Sequence, residues 1–328
     1  MHVLILGAAG MIGQKLALRL VREGAIANQP VTTLSLVDLT SPQPPAGFDG
    51  GITTAALDIS DRIAVDRCIA LRPDLIFHLA AIVSGEAESD FDKGYRVNLD
   101  GMRHLLETIR QEGNKHPYRP KLVFTSSIAV FGAPFPEFIG DEFFSTPLTS
   151  YGTQKAISEL LLADYTRRGF LDGIAIRLPT ICIRPGKPNK AASGFFSNIL
   201  REPLAGREAV LPVADDVRHW HASPRAAVEF LLHAASLDLA ALGTRRALTM
   251  PGLSATIADE IEALRRRAGD KAVRLIRREP DPAISAMVAG WPQAFDAQRA
   301  LALGFHPDRS FDEIVRIHIE DELGGRLP

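Results

Sequence analysis

Cysteine is scarce in this chain, which limits the kinds of fold and site that it can form. The 328 residues include two cysteines, Cys68 and Cys182, in apolar segments far apart in the sequence. This spacing predicts two buried, reduced thiols rather than a disulfide framework or a metal cluster. The run His219-Trp220-His221 would place two imidazoles on one side of a strand. No third ligand accompanies them, so we expect no bound metal.

Long apolar runs and an excess of one charge are also missing. No run approaches the ~18 residues of a membrane-spanning helix, and the N-terminus lacks the charged start and cleavage site of a signal peptide. The net charge of −2 and the pI near 6.5 give no reason to expect nucleic acid or an anionic membrane as a partner. The composition is 46% hydrophobic and 23% charged, which is typical of a globular protein. We expect a cytoplasmic location.

A glycine-rich turn stands between the first predicted strand and the first predicted helix. His2 to Leu6 is apolar and rich in branched residues, as in a buried parallel strand. Gly7 would permit the tight turn, Gly10 would let a pyrophosphate approach the backbone, and Gly13 would let the helix pack on the strand. The phosphates would then lie at the helix N-terminus, where free N–H groups favour anions. The alternative is that the glycines serve packing alone.

The second predicted strand, Thr33 to Asp38, ends in an acid. A carboxylate at this position accepts hydrogen bonds from ribose hydroxyls and would repel a 2′-phosphate. No arginine follows closely in the sequence. The expected cofactor is therefore NAD rather than NADP.

Polar residues recur at the ends of the later elements. His78 ends a buried strand and leads into small residues that would let a cofactor lie close. Asn98 lies in an apolar helix, where a buried amide needs partners, and local satisfaction of that amide is the alternative. The strand Lys121 to Ser127 ends in hydroxyls. Because ligands bind outside the carboxyl ends of strands in a doubly wound sheet, Ser127 would point towards the nicotinamide, unless these hydroxyls only cap the strand.

Tyr151 and Lys155 are four residues apart, so on a helix they lie on one face, one turn apart. Thr149 or Ser150 would cap the start of this helix. A lysine ammonium lowers the pKa of a nearby phenol. Such a tyrosine can take a proton from an alcohol or give one to a carbonyl. The same spacing also arises by chance on solvated helix faces, so the pair gains weight only from the other features.

In this order and at these intervals, the features resemble the extended short-chain dehydrogenase/reductase family, also called the NAD-dependent epimerase/dehydratase family. The resemblance is strong up to about Pro179 and loose beyond it. It implies an α/β fold with a doubly wound parallel sheet, a Rossmann fold, and a smaller C-terminal α/β substrate lobe. Residues 1–179 would form the NAD-binding domain that carries the catalytic residues. Residues 180–328 would form mainly the substrate-binding lobe, with some segments returning to the first domain.

The resemblance also implies roles for individual residues. Tyr151 would be the acid/base, and Lys155 would bond the nicotinamide ribose. Ser127 would hydrogen-bond the reacting oxygen of the substrate, and Asn98 would support the catalytic site from its helix. The residues expected to bind NAD are Gly7, Gly10, Met11, Ile12, Gly13, Asp38, Asp58, Ile59, Leu79, Ala80, Ala81, Asn98, Tyr151 and Lys155.

Departures from the family pattern narrow the substrate. Ser126 and Ser127 stand where dehydratases of nucleotide sugars carry an acid pair, and Thr180 stands where nucleotide-sugar epimerases carry asparagine. The segments Phe124 to Lys155 and Arg177 to Phe196 instead resemble members that oxidise the C2 hydroxyl of D-erythronate, a four-carbon sugar acid. The expected partner is such a small sugar acid. Its expected contacts are Ser84, Ser126, Ser127, Tyr151, Thr180, Arg184 and Arg218, although surface ion pairs would also explain the two arginines.

Two other functions stay open at this point. A nucleotide-sugar epimerase would hold its NAD tightly and show no net reduction of added cofactor. A non-catalytic NAD-binding regulator would usually have lost Tyr151 or Lys155, and both are present. Family members often pair through the helices that correspond to those of Asn98 and Tyr151, which suggests a homodimer.

Overall fold

The computed structural model describes residues 1–186 and 193–327. The strands of these residues, in chain order, are β1 His2–Leu6, β2 Ala25–Ile26, β3 Gln29–Pro30, β4 Thr33–Asp38, β5 Gly51–Ala56, β6 Leu75–His78, β7 Lys121–Ser127, β8 Ile139–Gly140, β9 Asp172–Leu178, β10 Thr180–Ile181, β11 Ala209–Leu211, β12 Arg218–Ala222, β13 Ala247–Thr249, β14 Leu253–Thr256, β15 Ile276–Arg278 and β16 Phe295–Asp296.

The described residues contain twelve α-helices. They are α1 Met11–Glu23, α2 Arg62–Ile69, α3 Ser84–Ser89, α4 Phe91–Gly94, α5 Gly101–Lys115, α6 Ser150–Arg167, α7 Gly194–Leu204, α8 Pro224–Ser236, α9 Ile257–Val273, α10 Pro282–Val288, α11 Gln298–Ala302 and α12 Phe311–Glu322. A π-helix, Tyr95–Asp100, joins α4 to α5, and short 3₁₀ helices cover Ile128–Val130 and Leu239–Leu242.

The residues divide into two compact units. The first unit comprises Met1–Ser127, Thr149–Arg177 and Val228–Leu248, and the second comprises Ile128–Leu148, Leu178–Ala227 and Thr249–Pro328. The segment Ile128–Leu148 therefore belongs to the second unit, whereas a boundary at residue 179 leaves it in the first. Contacts between residues far apart in sequence determine the unit to which a segment belongs. The order of elements along the chain does not reveal those contacts.

Seven strands of the described residues form the main sheet, in the order β13-β9-β7-β6-β1-β4-β5. β1 pairs in parallel with both β4 and β6, and Leu6 lies opposite Val37 on one side and His78 on the other. The strand order reverses between β1 and β6, and this is where ligands bind in doubly wound sheets. The predicted Rossmann fold is confirmed.

The core of the first unit lies between this sheet and its helices. Strand residues such as Ile5, Ile76 and Val123 are fully buried, and Leu105 and Ile109 of α5 are buried with them. Each such side chain stabilises the fold by about 1.5–3 kcal/mol relative to exposure. The near-continuous apolar runs of the sequence form the central parallel strands. Both faces of such strands are covered, so side chains on both faces are apolar.

Two predicted elements of the first unit differ from the structure. The helix that carries Asn98 is not continuous, because the π-helix Tyr95–Asp100 interrupts it. The wider turn coincides with the hydrogen bonds of the Asn98 amide to the backbone of Ile82. The sequence predicts that Leu57-Asp58-Ile59 ends a short strand, but β5 ends at Ala56, and Asp58 and Ile59 lie in the loop after it.

The second unit contains three small sheets in its described part. β12 pairs in parallel with β10 and antiparallel with β14, and the pairs β11/β15 and β8/β16 are parallel. Its apolar core includes Phe196 of α7, Leu264 of α9 and Ile314 of α12. Cys182 is buried in this core, Cys68 of the first unit is half-buried, and both are free thiols.

Membrane-spanning helices and clusters of metal ligands are both absent from the described ranges. None of the helices in residues 1–186 and 193–327 is long and apolar enough to cross a bilayer. Those ranges also contain no group of three or more His, Cys, Asp and Glu side chains that could hold a metal ion.

Candidate active site

The glycine turn leaves no space for a side chain at two of its glycines. A Cβ at Gly7 would lie 2.6 Å from the Ala80 nitrogen, and Gly7 has a φ of +93°. A Cβ at Gly13 would lie 2.2 Å from the Gly7 carbonyl oxygen. Both positions therefore need glycine, because the neighbouring atoms are backbone atoms that cannot move aside. Gly7 lies at the carboxyl end of β1, next to the loop that follows β6.

The N-terminus of α1 faces this turn without a side-chain cap. Gly10 is the N-cap residue, has extended backbone angles and is exposed. Met11 and Ile12 form the first helical positions and are half-buried. Uncapped N–H groups and the helix dipole favour a bound anion at such an end.

Asp38 ends β4 beside this turn. Its carboxylate accepts a hydrogen bond from the Ala9 backbone nitrogen at 2.9 Å and another from the Leu39 nitrogen at 2.7 Å. Each oxygen keeps a further acceptor position, which is what a ribose hydroxyl requires. The glycine turn, the uncapped α1 terminus and Asp38 together fit a dinucleotide.

Five more of the residues predicted to bind NAD lie on loops at the carboxyl ends of β5 and β6. Asp58 is exposed, and its Oδ1 accepts hydrogen bonds from the Ser60 nitrogen and hydroxyl. Ile59 is buried. Residues 79–81 follow β6 directly and are half-buried. The NAD contacts of all these residues stay predictions.

The Asn98 amide is used by the protein itself. Its Oδ1 accepts from the Ile82 nitrogen at 2.9 Å, and its Nδ2 donates to the Ile82 carbonyl oxygen and to Gln154 Oε1, at 3.2 and 2.8 Å. The side chain therefore ties the loop after β6 to α6. The buried amide predicted from the sequence is satisfied by the backbone and by Gln154, which sequence reasoning did not single out. The role of Asn98 in the active site stays a prediction.

Helix α6 presents Tyr151 and Lys155 on one face, as their spacing predicts. Thr149 is the N-cap, and its hydroxyl accepts from the Gly152 nitrogen at 3.0 Å. The Lys155 ammonium lies 5.6 Å from the centroid of the Tyr151 ring. It donates to the Thr125 carbonyl oxygen at 2.8 Å. The predicted cap and helix start are thus found in the structure.

Lys155 is only 2% exposed. Burial lowers the pKa of Lys155 to about 7, and the charge of Glu159 opposes this shift. The ammonium also lies 4.6 Å from the centroid of the Phe124 ring, where a cation is attracted by the ring quadrupole. A lysine in this position can carry its charge close to the Tyr151 phenol, which favours the phenolate.

A buried charge pair lies one helical turn beyond Lys155. Arg177 of β9 donates to Glu159 through Nε, at 2.9 Å to Oε1, and through Nη2, at 2.7 Å to Oε2. Their side chains are 14% and 6% exposed. The Ser126 hydroxyl also donates to Glu159 Oε1. Ser126 is 3% exposed, and its predicted substrate contact stays a prediction.

Sequence reasoning missed Glu159 and Arg177. The only signal was spacing, because Tyr151, Lys155 and Glu159 recur every fourth residue and so share one face of the helix. Ser127, the last residue of β7, is half-buried, and so is Ser84, the first residue of α3. The predicted substrate contacts of these two serines stay predictions.

His78 is a buried histidine at the end of β6. It is 1% exposed, and neither ring nitrogen has a hydrogen-bond partner among the described residues. Burial lowers the pKa of His78 to about 3, and the charge of Lys155 adds to this effect. The imidazole is therefore neutral, and it lies 5.3 Å from the Phe124 ring.

The remaining predicted substrate contacts lie in the second unit. The Thr180 hydroxyl lies 2.7 Å from His219 Nε2. The Arg184 guanidinium donates to the Ile181 carbonyl oxygen and to the Ser193 hydroxyl, both at 3.0 Å. Arg218 is exposed and has a 3.3 Å contact with Ser254. The described partners thus give all three side chains local roles, and their substrate contacts stay predictions.

His219 and His221, the two histidines considered as metal ligands, each lie close to another polar group of the protein. His219 Nδ1 lies 2.9 Å from the Pro292 carbonyl oxygen, so this nitrogen is the donor. Nε2 is then the acceptor for Thr180. Burial lowers the pKa of His219 to about 4. His221 lies 3.2 Å from Glu260, and both are fully buried.

Comparison with known proteins agrees with this geometry. Residues 3–230 match the NAD dependent epimerase/dehydratase family. D-erythronate dehydrogenase of Cupriavidus necator is 48% identical over 326 residues, covering 98% of each chain. D-erythronate dehydrogenase of Haemophilus influenzae is 41% identical over 323 residues, covering 98% of this chain and 100% of that one. A crystal structure described as the nucleoside-diphosphate-sugar epimerase from Agrobacterium tumefaciens has a TM-score of 0.97 and 62% identity, covering 100% of this chain and 96% of that one.

The fold and the glycine turn define a dinucleotide-binding protein of the Rossmann class. The chain belongs to the NAD dependent epimerase/dehydratase family, since the match spans most of its length and relatives above 40% identity cover nearly all of it. The predicted family and the predicted cofactor, NAD, are confirmed.

Proposed function

We propose that this NAD-dependent dehydrogenase oxidises the C2 hydroxyl of D-erythronate to 2-dehydro-D-erythronate, with Tyr151 as the general base. The observation that carries the proposal is the buried Lys155 ammonium, 5.6 Å from the Tyr151 ring centroid and held by the Thr125 carbonyl at the end of β7. The nearly full-length similarity to two proteins named D-erythronate dehydrogenase supports the substrate.

Tyr151 acts as a phenolate and takes the proton of the C2 hydroxyl. The Lys155 ammonium favours the phenolate form because a nearby positive charge stabilises the anion. Ser127 hydrogen-bonds the C2 oxygen and holds it towards Tyr151. As the O–H bond is broken, the electron pair of the C2–H bond leaves the carbon and a ketone forms.

NAD supplies the acceptor for the hydride that leaves C2. The chain would hold it with the backbone at Gly7 and Gly13, the N-terminus of α1, and the carboxylate of Asp38. Each of these groups suits one part of a dinucleotide, because glycines admit the pyrophosphate and a carboxylate accepts from ribose hydroxyls.

The test is the appearance of NADH absorbance with the purified protein, added NAD and a panel of four-carbon sugar acids that includes D-erythronate and L-threonate. NADH formed with D-erythronate alone supports both the reaction and its stereochemistry. NADH formed with several of the acids supports a dehydrogenase and leaves the substrate to be chosen by kcat/KM. The absence of NADH with every acid of the panel contradicts the proposal.

A nucleotide-sugar epimerase is the second candidate, and one observation favours it. The 62% identical crystal structure is described as a nucleoside-diphosphate-sugar epimerase. Such an enzyme would keep its NAD through purification and would interconvert two sugars without net NADH. Retained NAD, together with no NADH from any sugar acid, would support this candidate over the dehydrogenase.

A further inference from the structure

Two successive residues at the end of β7 hydrogen-bond to two residues that are one turn apart on α6. The Thr125 carbonyl accepts from Lys155, and the Ser126 hydroxyl donates to Glu159. Ser127, the next residue of β7, is the predicted partner of the oxygen that Tyr151 deprotonates. The bond between Ser126 and Glu159 therefore fixes which turn of α6 lies against which residue of β7.

Glu159 also carries the negative charge that acts on Lys155. Cβ atoms four residues apart on a helix are about 5–6 Å from each other, and both side chains are at most 6% exposed. Coulomb interactions are much stronger in such a buried place than in water. Arg177 donates to both carboxylate oxygens of Glu159, a bidentate pairing that fixes the orientation of this carboxylate.

The other groups around Lys155 do not replace this charge. Tyr151 lies on the same helix and is the reacting acid/base. His78 of β6 is neutral, because burial lowers the pKa of its imidazole to about 3. β7 offers a carbonyl oxygen and the Phe124 ring. Arg177 of β9 reaches Glu159 and carries a charge of the same sign as Lys155.

We propose that Glu159 is a positioning residue for the reaction: bound by Arg177 and Ser126, it keeps the Lys155 side chain charged and in place beside Tyr151. This inference rests on the proposed function for its kinetic test, although the state of Lys155 can be measured without turnover. Glu159 itself does not contact the reacting atoms in this account. Its effect reaches Tyr151 only through Lys155.

The decisive variant is Glu159→Gln, which keeps the shape of the side chain and removes its charge. Burial lowers the pKa of Lys155 to about 7 and Glu159 opposes this shift, so the variant should lose the Lys155 proton at a lower pH. Tyr151 then loses its ammonium neighbour. The acidic limb of the plot of kcat against pH should move to higher pH by about one unit. At a given pH on that limb, turnover should therefore fall by about tenfold. Turnover at alkaline pH should approach that of the natural protein.

Asp164→Asn is the matched control. It removes a carboxylate charge from the same helix, but this side chain is 58% exposed and pairs with Arg167, so solvent screens the charge and the acidic limb should not move. Both proteins are assayed with saturating NAD. The titration of Lys155 is followed in parallel by NMR of the protein labelled with ¹³C at lysine Cε, and the Lys155→Met variant identifies the resonance.

The outcomes separate three explanations. The proposal is supported if the acidic limb moves to higher pH and Lys155 titrates at lower pH in Glu159→Gln, but not in Asp164→Asn. The proposal is overturned if the acidic limb does not move. It is also overturned if turnover falls equally at every pH while the titration of Lys155 is unchanged. If the natural protein turns over none of the sugar acids, the proposed function fails, and the lysine titration still decides the inference.

A second variant covers the case in which Glu159→Gln does not fold. The double variant Glu159→Gln/Arg177→Gln removes both charges of the pair and leaves neither of them buried alone. Like the single variant, it should lower the pH at which Lys155 loses its proton. An unchanged titration in a folded double variant contradicts the proposal.

Discussion

Two buried polar clusters of this protein differ in whether their side chains are charged. The α6 cluster, in the first unit, consists of Ser126, Lys155, Glu159 and Arg177. The β12 cluster, in the second unit, consists of His219, His221 and Glu260. Both clusters are nearly closed to solvent, yet the first contains paired charges and the second contains neutral groups.

The difference comes from the partners of each carboxylate. Glu159 has a guanidinium and a hydroxyl as hydrogen-bond donors. Glu260 has His221 at 3.2 Å, in a geometry that makes no hydrogen bond, and no other described partner. Burial therefore raises the pKa of Glu260 well above its ordinary value, and burial lowers the pKa of His221 well below its ordinary value.

This comparison shows how to interpret buried titratable groups. Burial alone removes charge, because moving an ion out of water costs more than protonating or deprotonating it. A charge persists where another charge pairs with it and hydrogen bonds satisfy it. The cluster that keeps its charges is the one beside Tyr151, and the variants below test whether that difference has the consequences we expect.

Tyr151→Phe should have the largest effect. Loss of the general base should lower kcat by about 10²–10⁴-fold, while the glycine turn and Asp38 keep the affinity for NAD nearly unchanged. Steady-state turnover and NAD binding by fluorescence titration measure the two effects. Tyr165→Phe is the matched control, because it removes a hydroxyl from the same helix, where the group donates to Glu107. Turnover near the natural level in Tyr151→Phe would remove Tyr151 from the mechanism.

Local patterns were enough to predict the parts of the site that lie within single elements. The glycine turn after β1, the acid at the end of β4 and the Thr149 cap of α6 follow from residues close together in sequence. Their physical causes are also local: a positive φ at Gly7, an exposed strand end, and an orphan N–H at a helix start.

Contacts between distant segments could not be predicted. The pairing of Glu159 with Arg177, the clamp of Asn98 on Ile82 and the bond of Thr180 to His219 each join different elements. The sequence does not show whether the hydrogen-bond partner of a hydroxyl or amide side chain is a ligand or another part of the protein. For this reason the hydrogen bond of the Ser126 hydroxyl to Glu159 could not be predicted from the sequence.

Arg177→Gln should have the next largest effect, this time on stability. The change leaves the Glu159 carboxylate buried without its counter-charge, and breaking such a pair from one side costs about 3–5 kcal/mol. Urea denaturation measures the loss. Adding Glu159→Gln should recover part of it, because the orphaned charge is then gone.

Arg167→Gln serves as the control for Arg177→Gln. Arg167 pairs with Asp164 on the same helix, but the two side chains are 65% and 58% exposed. Solvent screens this pair, so its loss should leave the urea midpoint unchanged. Equal midpoints for the Arg167 and Arg177 variants would mean that the buried pair contributes no more than an exposed one.

Glu260→Gln should have the smallest effect and the opposite sign. Because the pKa of Glu260 is raised in the folded protein, the folded state keeps a proton that the unfolded state releases above its ordinary pKa. The stability linked to this group is present below about pH 4.3 and is lost as pH rises towards the folded pKa. Glutamine cannot titrate, so the variant avoids that loss.

The natural protein and Glu260→Gln should therefore have similar melting temperatures at about pH 4, and the variant should melt progressively higher as pH rises to 8. His221 contributes the reverse dependence, since its lowered pKa costs stability as pH falls below about 6.5. It is present in both proteins and largely cancels in their difference. The acidic limb of the kcat profile should stay in place, in contrast to Glu159→Gln. A melting difference that does not change with pH would mean that Glu260 is ionised in the folded protein, and the two clusters would then not differ in the way that their partners indicate.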